Sequence, residues 1–401
     1  MSRERTVAVA TFGRSDFSIL RPLVARLVDA DGFDAGLWVG GAHFDEVSGY
    51  TVRDIEASGL PIWARVEDSS DYRDRSPQST VEVMAAQLTG FARAAEQARP
   101  DLLLVLGDRF EAVSAGLAMV PLGVPVGHIS GGSITEGAID DVFRHCLTKI
   151  AALHFCELPR FARRIHHMGE DPATIFTTGA LGLDALMAAQ PHSFDEFAAH
   201  FGFAGLRPGY VLATLHSETH HVGLTADMAA ATVSAIAASG RQVVYTYPNA
   251  DPGSDAVIAQ IEAAAQEPDA FCVRSFGAAW YPTAMAHAAM MVGNSSGGII
   301  EAATFNLPVV DIGERQKGRE HGANVIHCGR DEASIAAGIE RAGSADFRPA
   351  AEAGNIYGDG RGAERVLVAL TTLEWDRLGR PKRFVDPDPS FRGELMELSC
   401  T

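Results

Sequence analysis

The chain has 401 residues, 47% of them hydrophobic and 21% charged, with 33 Lys and Arg against 51 Asp and Glu for a formal charge of −18. That composition excludes disorder for most of the chain, because it holds ample apolar material to offset the entropy of ordering, and its length favours two domains. The acidic balance excludes a general nucleic-acid binder, since phosphate contacts need clustered Lys and Arg. No run approaches the ~20 apolar residues of a spanning helix, so neither a membrane segment nor a targeting segment is expected. The five cysteines (Cys146, Cys156, Cys272, Cys328 and Cys400) are scattered and form no CxxC. That argues against a disulfide framework and against structural zinc, and fits a reducing cytoplasm.

In chain order, Arg5–Thr11 reads as a buried strand and Asp16–Asp29 as a helix, with Ile19, Leu20, Leu23 and Leu27 at helical spacing. Gly36–Gly40 is a second strand. Ser79–Ala98 is a long helix leading into a strand at Asp101–Leu106. Phe110–Met119 is helical, Val124–Ile129 a strand and Asp140–Leu153 a helix. Residues 188–209 hold Pro191, Pro208 and Gly209 and read as a linker. The pattern then restarts with a strand at Tyr210–Thr214, a helix at Thr225–Ala238, a strand at Gln242–Tyr247 and a helix at Ser254–Ala265. Further strands are expected at Met290–Val292, Val309–Ile312 and Asn324–His327.

Alternating strands and helices, with continuously apolar strands, predict parallel sheets covered on both faces. The expected fold is α/β, with two doubly wound Rossmann-like lobes and an interlobe cleft. The lobes span 1–190 and 205–373, followed by an extension at 374–401 that reads as an arm packing either on the surface or on a partner.

Chemistry-bearing residues follow the strand ends, where ligands bind in such sheets. Gly13-Arg14-Ser15-Asp16-Phe17-Ser18 offers helix-capping side chains at Ser15, Asp16 and Ser18, and Arg14 for a phosphate. Gly107-Asp108-Arg109-Phe110-Glu111 places Asp108 either as an N-cap or as a catalytic carboxylate. The small-residue loop His128–Gly137 leads to Asp140, Asp141 and Arg144; Arg144 lies at i+4 from Asp140, so a helix ion pair is the simpler alternative. His216, His220 and His221 lack the HExxH zinc spacing, and no metal is expected. Gly293–Glu301 follows a strand and opens a helix with Ser and Gly N–H groups suited to an anion, with Glu301 placed for ribose hydroxyls. Gly313–Arg319 adds cations. Together these favour a nucleotide or nucleotide-sugar site.

The runs GRSDFSILRPL, GDRFEA, HISGGSITEGAIDDVFRHCLTK, HFC, GNSSGGIIEA, GERQKGRE and NIYGDG resemble the UDP-N-acetylglucosamine 2-epimerase family, in its hydrolysing branch of sialic- and legionaminic-acid biosynthesis. The resemblance runs from Gly13 to Gly360 and implies a GT-B type fold. It also implies a UDP-2-acetamido sugar substrate, no cofactor and a homodimer. The reaction it implies is elimination to a 2-acetamidoglycal, then hydration to the free 2-epimer plus UDP. By position it implies Asp108 and Asp140 as catalytic carboxylates accompanied by Arg144, and His216 near the pyrophosphate. Arg14, Ser296, Gly298 and Arg315 fall on diphosphate contacts, Glu301 on a ribose contact and His43 on the sugar side. Ser18, Arg109, Asn249 and Ser295 complete the candidate binding set. Many members carry Glu beside the paired glycines, where this chain has Ser130 and Ser133. Either Glu136 or Glu111 then supplies that carboxylate, or the chemistry is altered. The alternatives are a GT-B glycosyltransferase, an altered NDP-sugar hydrolase and a non-catalytic nucleotide-sugar-binding protein.

Overall fold

The computed structural model describes residues 4–46, 49–68, 76–136, 139–218, 222–248, 253–378 and 381–398. Its strands are β1 (Arg5–Thr11), β2 (Phe33–Val39), β3 (Ile62–Arg65), β4 (Leu102–Leu106), β5 (Val126–Ile129), β6 (Leu153–Cys156) and β7 (Ile175–Thr177), then β8 (Tyr210–Thr214), β9 (Val243–Thr246), β10 (Ala270–Val273), β11 (Ala288–Gly293), β12 (Val309–Ile312) and β13 (Val325–Cys328). β1 to β7 form one parallel sheet in the order β3-β2-β1-β4-β5-β6-β7, and β8 to β13 form another in the order β10-β9-β8-β11-β12-β13. The sequence reading omits β3, β6, β7 and β10. These are runs of three or four residues, and β3 and β10 are only half-buried, so their apolar signal is short and diluted.

Successive residues of a strand point to opposite faces. In β1, Val7 and Val9 join Leu20, Leu23 and Leu27 of the Arg14–Asp29 helix on one face. Ala8 and Ala10 join Trp38, Phe91, Leu103 and Met119 on the other. The central strands are therefore apolar throughout because both faces are covered. The second sheet has its own core, built from Val211, Ala213, Val243, Met290, Val292, Val310 and Ile335.

The chain divides into two units. One comprises 1–134, 138–185 and 357–401, the other 135–137 and 186–356. The sequence reading ran the second lobe to residue 373, but the Gly362–Thr372 helix packs in the first unit. Its Ala363, Val366, Ala369 and Leu370 bury against β1 and the Arg14–Asp29 helix. Asp184 fixes its start by accepting the N–H groups of Gly362 at 2.9 Å and Ala363 at 2.7 Å, which supplies partners for two of the orphan donors of a helix N-terminus. The extension also lies on this unit: Met396 N–H donates to the Thr177 carbonyl at 3.1 Å, beside a lone bridge from Thr177 to Leu395. An otherwise open edge strand, β7, is thereby covered.

The expected linker holds structure of its own. Phe194–Phe201 is a helix with a full capping box, in which Ser193 Oγ accepts from the Glu196 N–H and the Glu196 carboxylate accepts from the Ser193 N–H. Phe197 is fully buried within it. The Asp16–Asp29 helix begins earlier than expected, at Arg14, and its N-cap is Gly13 with no side-chain cap.

In both sheets the strand order reverses direction once, between β1 and β4 and between β8 and β11. Gly293 closes β11 at φ 144°, and a Cβ on it would lie 1.9 Å from the Thr214 carbonyl oxygen. No side chain fits there, so Gly293→Ala is expected to lower unfolding stability by at least ~2 kcal/mol, read from urea or thermal melts of both proteins.

Candidate functional site

In the first unit, the site elements grow from the ends of β1, β4 and β5. Gly107, at φ 77°, turns the chain out of β4 and presents Asp108 and Arg109 ahead of the Phe110–Leu122 helix. Asp108 is about a third exposed, and its carboxylate pairs with the guanidinium of the buried Arg144. The same guanidinium donates to Asp141 at 3.0 Å and to the Ser133 carbonyl at 3.3 Å. Arg144 thus bridges to Asp141 three residues back and to Asp108 across the sheet. Asp140 itself is exposed in the first turn of the Ile139–Ile150 helix.

Beneath Asp108 lies His128, fully buried in β5. Its Nε2 donates to the Gly107 carbonyl at 2.7 Å, and its Nδ1 lies 3.3 Å from Thr148 Oγ1. Burial drives its pKa down to about 3, so the ring is neutral. The loop that follows is tightly shaped. Ser130 sits at φ 67° with its N–H on the Phe155 carbonyl, and a Cβ on Gly132 would lie 2.6 Å from the Phe161 carbonyl oxygen.

Arg109 is held from below by two acids. Glu111, fully buried, takes it in a two-point contact at 2.7 and 3.1 Å, and Asp16 stands 3.7 Å away. Both Glu111 oxygens contact Arg109, so Glu111 anchors that arginine. Glu136 is exposed and lies against Gly318. His43, expected on the sugar side, is fully buried, with Nε2 2.9 Å from Thr11 Oγ1 and Nδ1 2.8 Å from Thr51 Oγ1. Burial first, then Arg109, lowers its pKa to about 4, and both its nitrogens are engaged by threonines. Arg14 and Ser18 are exposed on the first helix, and Ser18 Oγ donates back to the Arg14 carbonyl at 2.9 Å.

In the second unit, Asn294 organises the ends of β8 and β11. Its Oδ1 accepts from the His216 N–H at 2.7 Å and its Nδ2 donates to the His216 carbonyl at 2.9 Å. Its own carbonyl accepts from Arg315 at 3.2 Å and Gln316 at 2.8 Å. His216 is buried; burial, then Arg315, lowers its pKa to about 4. Ser295 caps the short Ser296–Ile300 helix through the Gly297 N–H at 3.3 Å. Glu301 follows, and the Tyr281 hydroxyl donates to it. Gly297 leaves room for that pair: a Cβ there would sit 2.4 Å from the Tyr281 hydroxyl oxygen and 2.7 Å from Glu301 Oε2. Burial lifts Glu301 to about 7 in spite of the tyrosine. Gly298 is buried against Val309. Asn249, His220 and His221 lie outside the described residues.

Sequence reasoning missed Asn294, Gln316, Tyr281 and Glu218, and read Asp16 only as a helix cap. Asn294 stood inside a quoted motif, between the strand-ending glycine and the capping serine. Tyr281 carried no local signal, because it meets Glu301 from a separate helix, Gly277–His287. Glu218 is buried and binds Arg330 at 2.6 Å and the Glu314 N–H at 2.7 Å, a pairing that only the fold brings together. Among the described residues, no cluster of three or more His, Cys, Asp or Glu is arranged to hold a metal, and no helix is long and apolar enough to cross a membrane.

Asp16 gives a stability test. Burial raises its pKa to about 6 against opposition from Arg109, and Glu111 adds to the rise. The folded chain therefore holds this proton more tightly than the unfolded one, whose value is near 3.8. Its stability contribution is present at low pH and is lost as pH rises through about 6, by roughly 3 kcal/mol at most. Urea unfolding between pH 4 and pH 7 should show that fall in the native protein and a flatter profile in Asp16→Asn.

The UDP-N-acetylglucosamine 2-epimerase family matches residues 25–371. A UDP-N,N'-diacetylbacillosamine 2-epimerase (hydrolyzing) of Legionella pneumophila is 31% identical over 92% of this chain and 96% of its own length. A UDP-N-acetylglucosamine 2-epimerase of Neisseria meningitidis serogroup B is 28% identical over 95% of this chain and 99% of its own. In fold, the chain matches the crystal structure of UDP-GlcNAc 2-epimerase from Neisseria meningitidis bound to UDP-GlcNAc, with a TM-score of 0.77 at 15% identity, covering 92% of this chain and 100% of that one. The fold is thus the expected GT-B type, and the chain belongs to the UDP-N-acetylglucosamine 2-epimerase family of enzymes.

Proposed function

We propose that the protein is a hydrolysing 2-epimerase. It takes UDP-GlcNAc or a related UDP-2-acetamido sugar and releases UDP and the free 2-epimer. The observation that carries this reading is the Asp108–Arg144–Asp141 assembly at the carboxyl end of β4, with Asp140 exposed beside it. The hydrolysing activity named for the Legionella relative supports it.

In the first step a carboxylate removes the proton from C2, and the C1–O bond to UDP breaks. The electron pair of the C2–H bond becomes the C1=C2 double bond of a 2-acetamidoglycal, and UDP leaves with its added charge. In the second step water adds its oxygen to C1 and a proton returns to C2 on the opposite face. C2–H is weakly acidic, so the base must be held against it. We assign this work to Asp108 and Asp140. Arg144 holds and aims Asp108 through the ion pair between them.

The leaving diphosphate is assigned to Arg14, Arg315, Ser296, Gly298 and His216. Glu301, held by Tyr281, is assigned to the ribose, with Ser295, Arg109, Ser18 and Asn249 completing the binding set. His43 is assigned to the fold, because both of its nitrogens are bonded to threonines. The first unit thus carries the sugar chemistry and the second the nucleotide. The reading extends to a cytoplasmic homodimer serving sialic- or legionaminic-type sugar biosynthesis, in keeping with the scattered free cysteines.

Asp108→Asn should abolish turnover of UDP-GlcNAc and of its 4-acetamido-6-deoxy analogue while leaving UDP binding within about threefold of wild type, as expected when only transition-state chemistry is removed. In D2O the native enzyme should release a free 2-epimer carrying deuterium at C2, seen by NMR. Full activity in the variant, or a product without deuterium, would sink the reading.

A further inference from the structure

The C-terminal segment carries a charge into the end of the helix that bears the catalytic candidates. Lys382 Nζ donates to the carbonyl oxygens of Thr148 at 3.3 Å, Lys149 at 2.7 Å and Ala151 at 2.6 Å. These carbonyls belong to the last turn of the Ile139–Ile150 helix and the residue beyond it, where the final C=O groups have no partner within the helix. A lysine ammonium has three donors and is favoured at the negative end of the helix dipole. Here it arrives from more than two hundred residues further along the chain.

The ammonium is also neutralised in place. Glu170, buried, is ion-paired with Lys382 at 2.7 Å, and it accepts from Lys149 at 2.5 Å and from His154 at 3.1 Å. Burial alone would raise the Glu170 pKa, but these bonds outweigh it and hold the carboxyl at about 2. The flanking segment is fastened independently. Val385 N–H donates to the Gly169 carbonyl at 3.0 Å, Phe391 packs edge-on against His166 at 5.1 Å, and Thr177 Oγ1 donates to the Gly393 carbonyl at 2.6 Å.

What Lys382 grips is continuous with Asp108. Thr148, whose carbonyl it binds, has its hydroxyl on the Arg144 carbonyl at 3.1 Å and 3.3 Å from His128 Nδ1. His128 holds the Gly107 carbonyl, and Arg144 holds Asp108 itself. We propose that Lys382 is a positioning residue for the epimerase reaction, capping the C-terminal end of the helix that carries Asp140, Asp141 and Arg144 and so fixing where Arg144 holds Asp108. This inference rests on the assignment of Asp108 and Arg144 above. It gives the extension a part in turnover that its distance in sequence conceals.

The test is a graded series in the full-length protein: Lys382→Arg, Lys382→Gln and Lys382→Met, with Phe391→Ala as a control that loosens the same segment without touching the helix carbonyls. Misplacing a catalytic group by an ångström costs up to about 100-fold, so kcat for UDP-GlcNAc should fall about tenfold or more in Lys382→Met. KM should stay within about twofold, because substrate binding is assigned elsewhere. Lys382→Arg should recover most of the loss and Lys382→Gln part of it, and amide exchange at residues 148–151 should quicken in the same order. Phe391→Ala should keep its kcat at an equal loss of melting temperature. A wild-type kcat in Lys382→Met, or a kcat loss that Phe391→Ala matches at equal melting temperature, overturns the inference. If Asp108→Asn is inactive while Lys382→Met is fully active, only this inference falls. If Asp108→Asn is active, the functional reading falls with it.

Discussion

A single buried guanidinium ties the first unit's chemistry together. Arg144 reaches from the helix after β5 to a carboxylate at the end of β4 and to another on its own helix, and it also donates to the Ser133 carbonyl in the loop between them. A buried arginine is tolerable only when it is paired and hydrogen-bonded, and here the pairing is with groups that must themselves be aimed. The arrangement sets Asp108 by electrostatics instead of by packing. It also explains why the parts beneath it are polar and buried, His128 under Gly107 and Thr148 under His128, with Lys382 at the far end of the helix.

The second unit solves a similar problem without charge. Asn294 uses both ends of its amide to clamp the His216 backbone, and Gly293 lets β11 come close enough to β8 for that clamp to form. Arg315 and Gln316 are then gathered on the Asn294 carbonyl. Both units place their polar groups where the strand order reverses, the position at which a parallel sheet leaves its strand ends open to a ligand. Neutral histidines at His43, His128 and His216 keep these regions from accumulating positive charge beyond the arginines.

Much of this was legible in the sequence, for physical reasons that differ by element. β1, β8 and β12 were read at their observed bounds because strands buried on both faces are continuously apolar. The Thr225–Ala238 helix was read likewise from its spacing. The Phe194–Phe201 helix is not legible although its Ser193 and Glu196 spell a capping box, because it is only eight residues long and lies between the breakers Pro191 and Pro208. The placement of the Gly362–Thr372 helix was not legible at all. An amphipathic pattern cannot say which sheet receives its apolar face, and Asp184, which fixes its start, lies far back in the chain. The same holds for Tyr281 with Glu301 and for Glu111 with Arg109, where burial and not residue type decides whether a carboxylate meets solvent or spends itself on a neighbour.

The return of the chain to its first unit bears on how the protein is made. The second unit is drawn almost wholly from one continuous stretch, residues 186–356. The first lacks the second of two helices packed over β1, a cap for the end of the Ile139–Ile150 helix and a cover for the edge of β7 until residues 357–398 have left the ribosome. During synthesis the later-encoded unit can therefore finish folding before the earlier one. The nascent first unit waits with part of its core open, and it closes through contacts between residues more than two hundred positions apart, the kind of loop closure that slows folding.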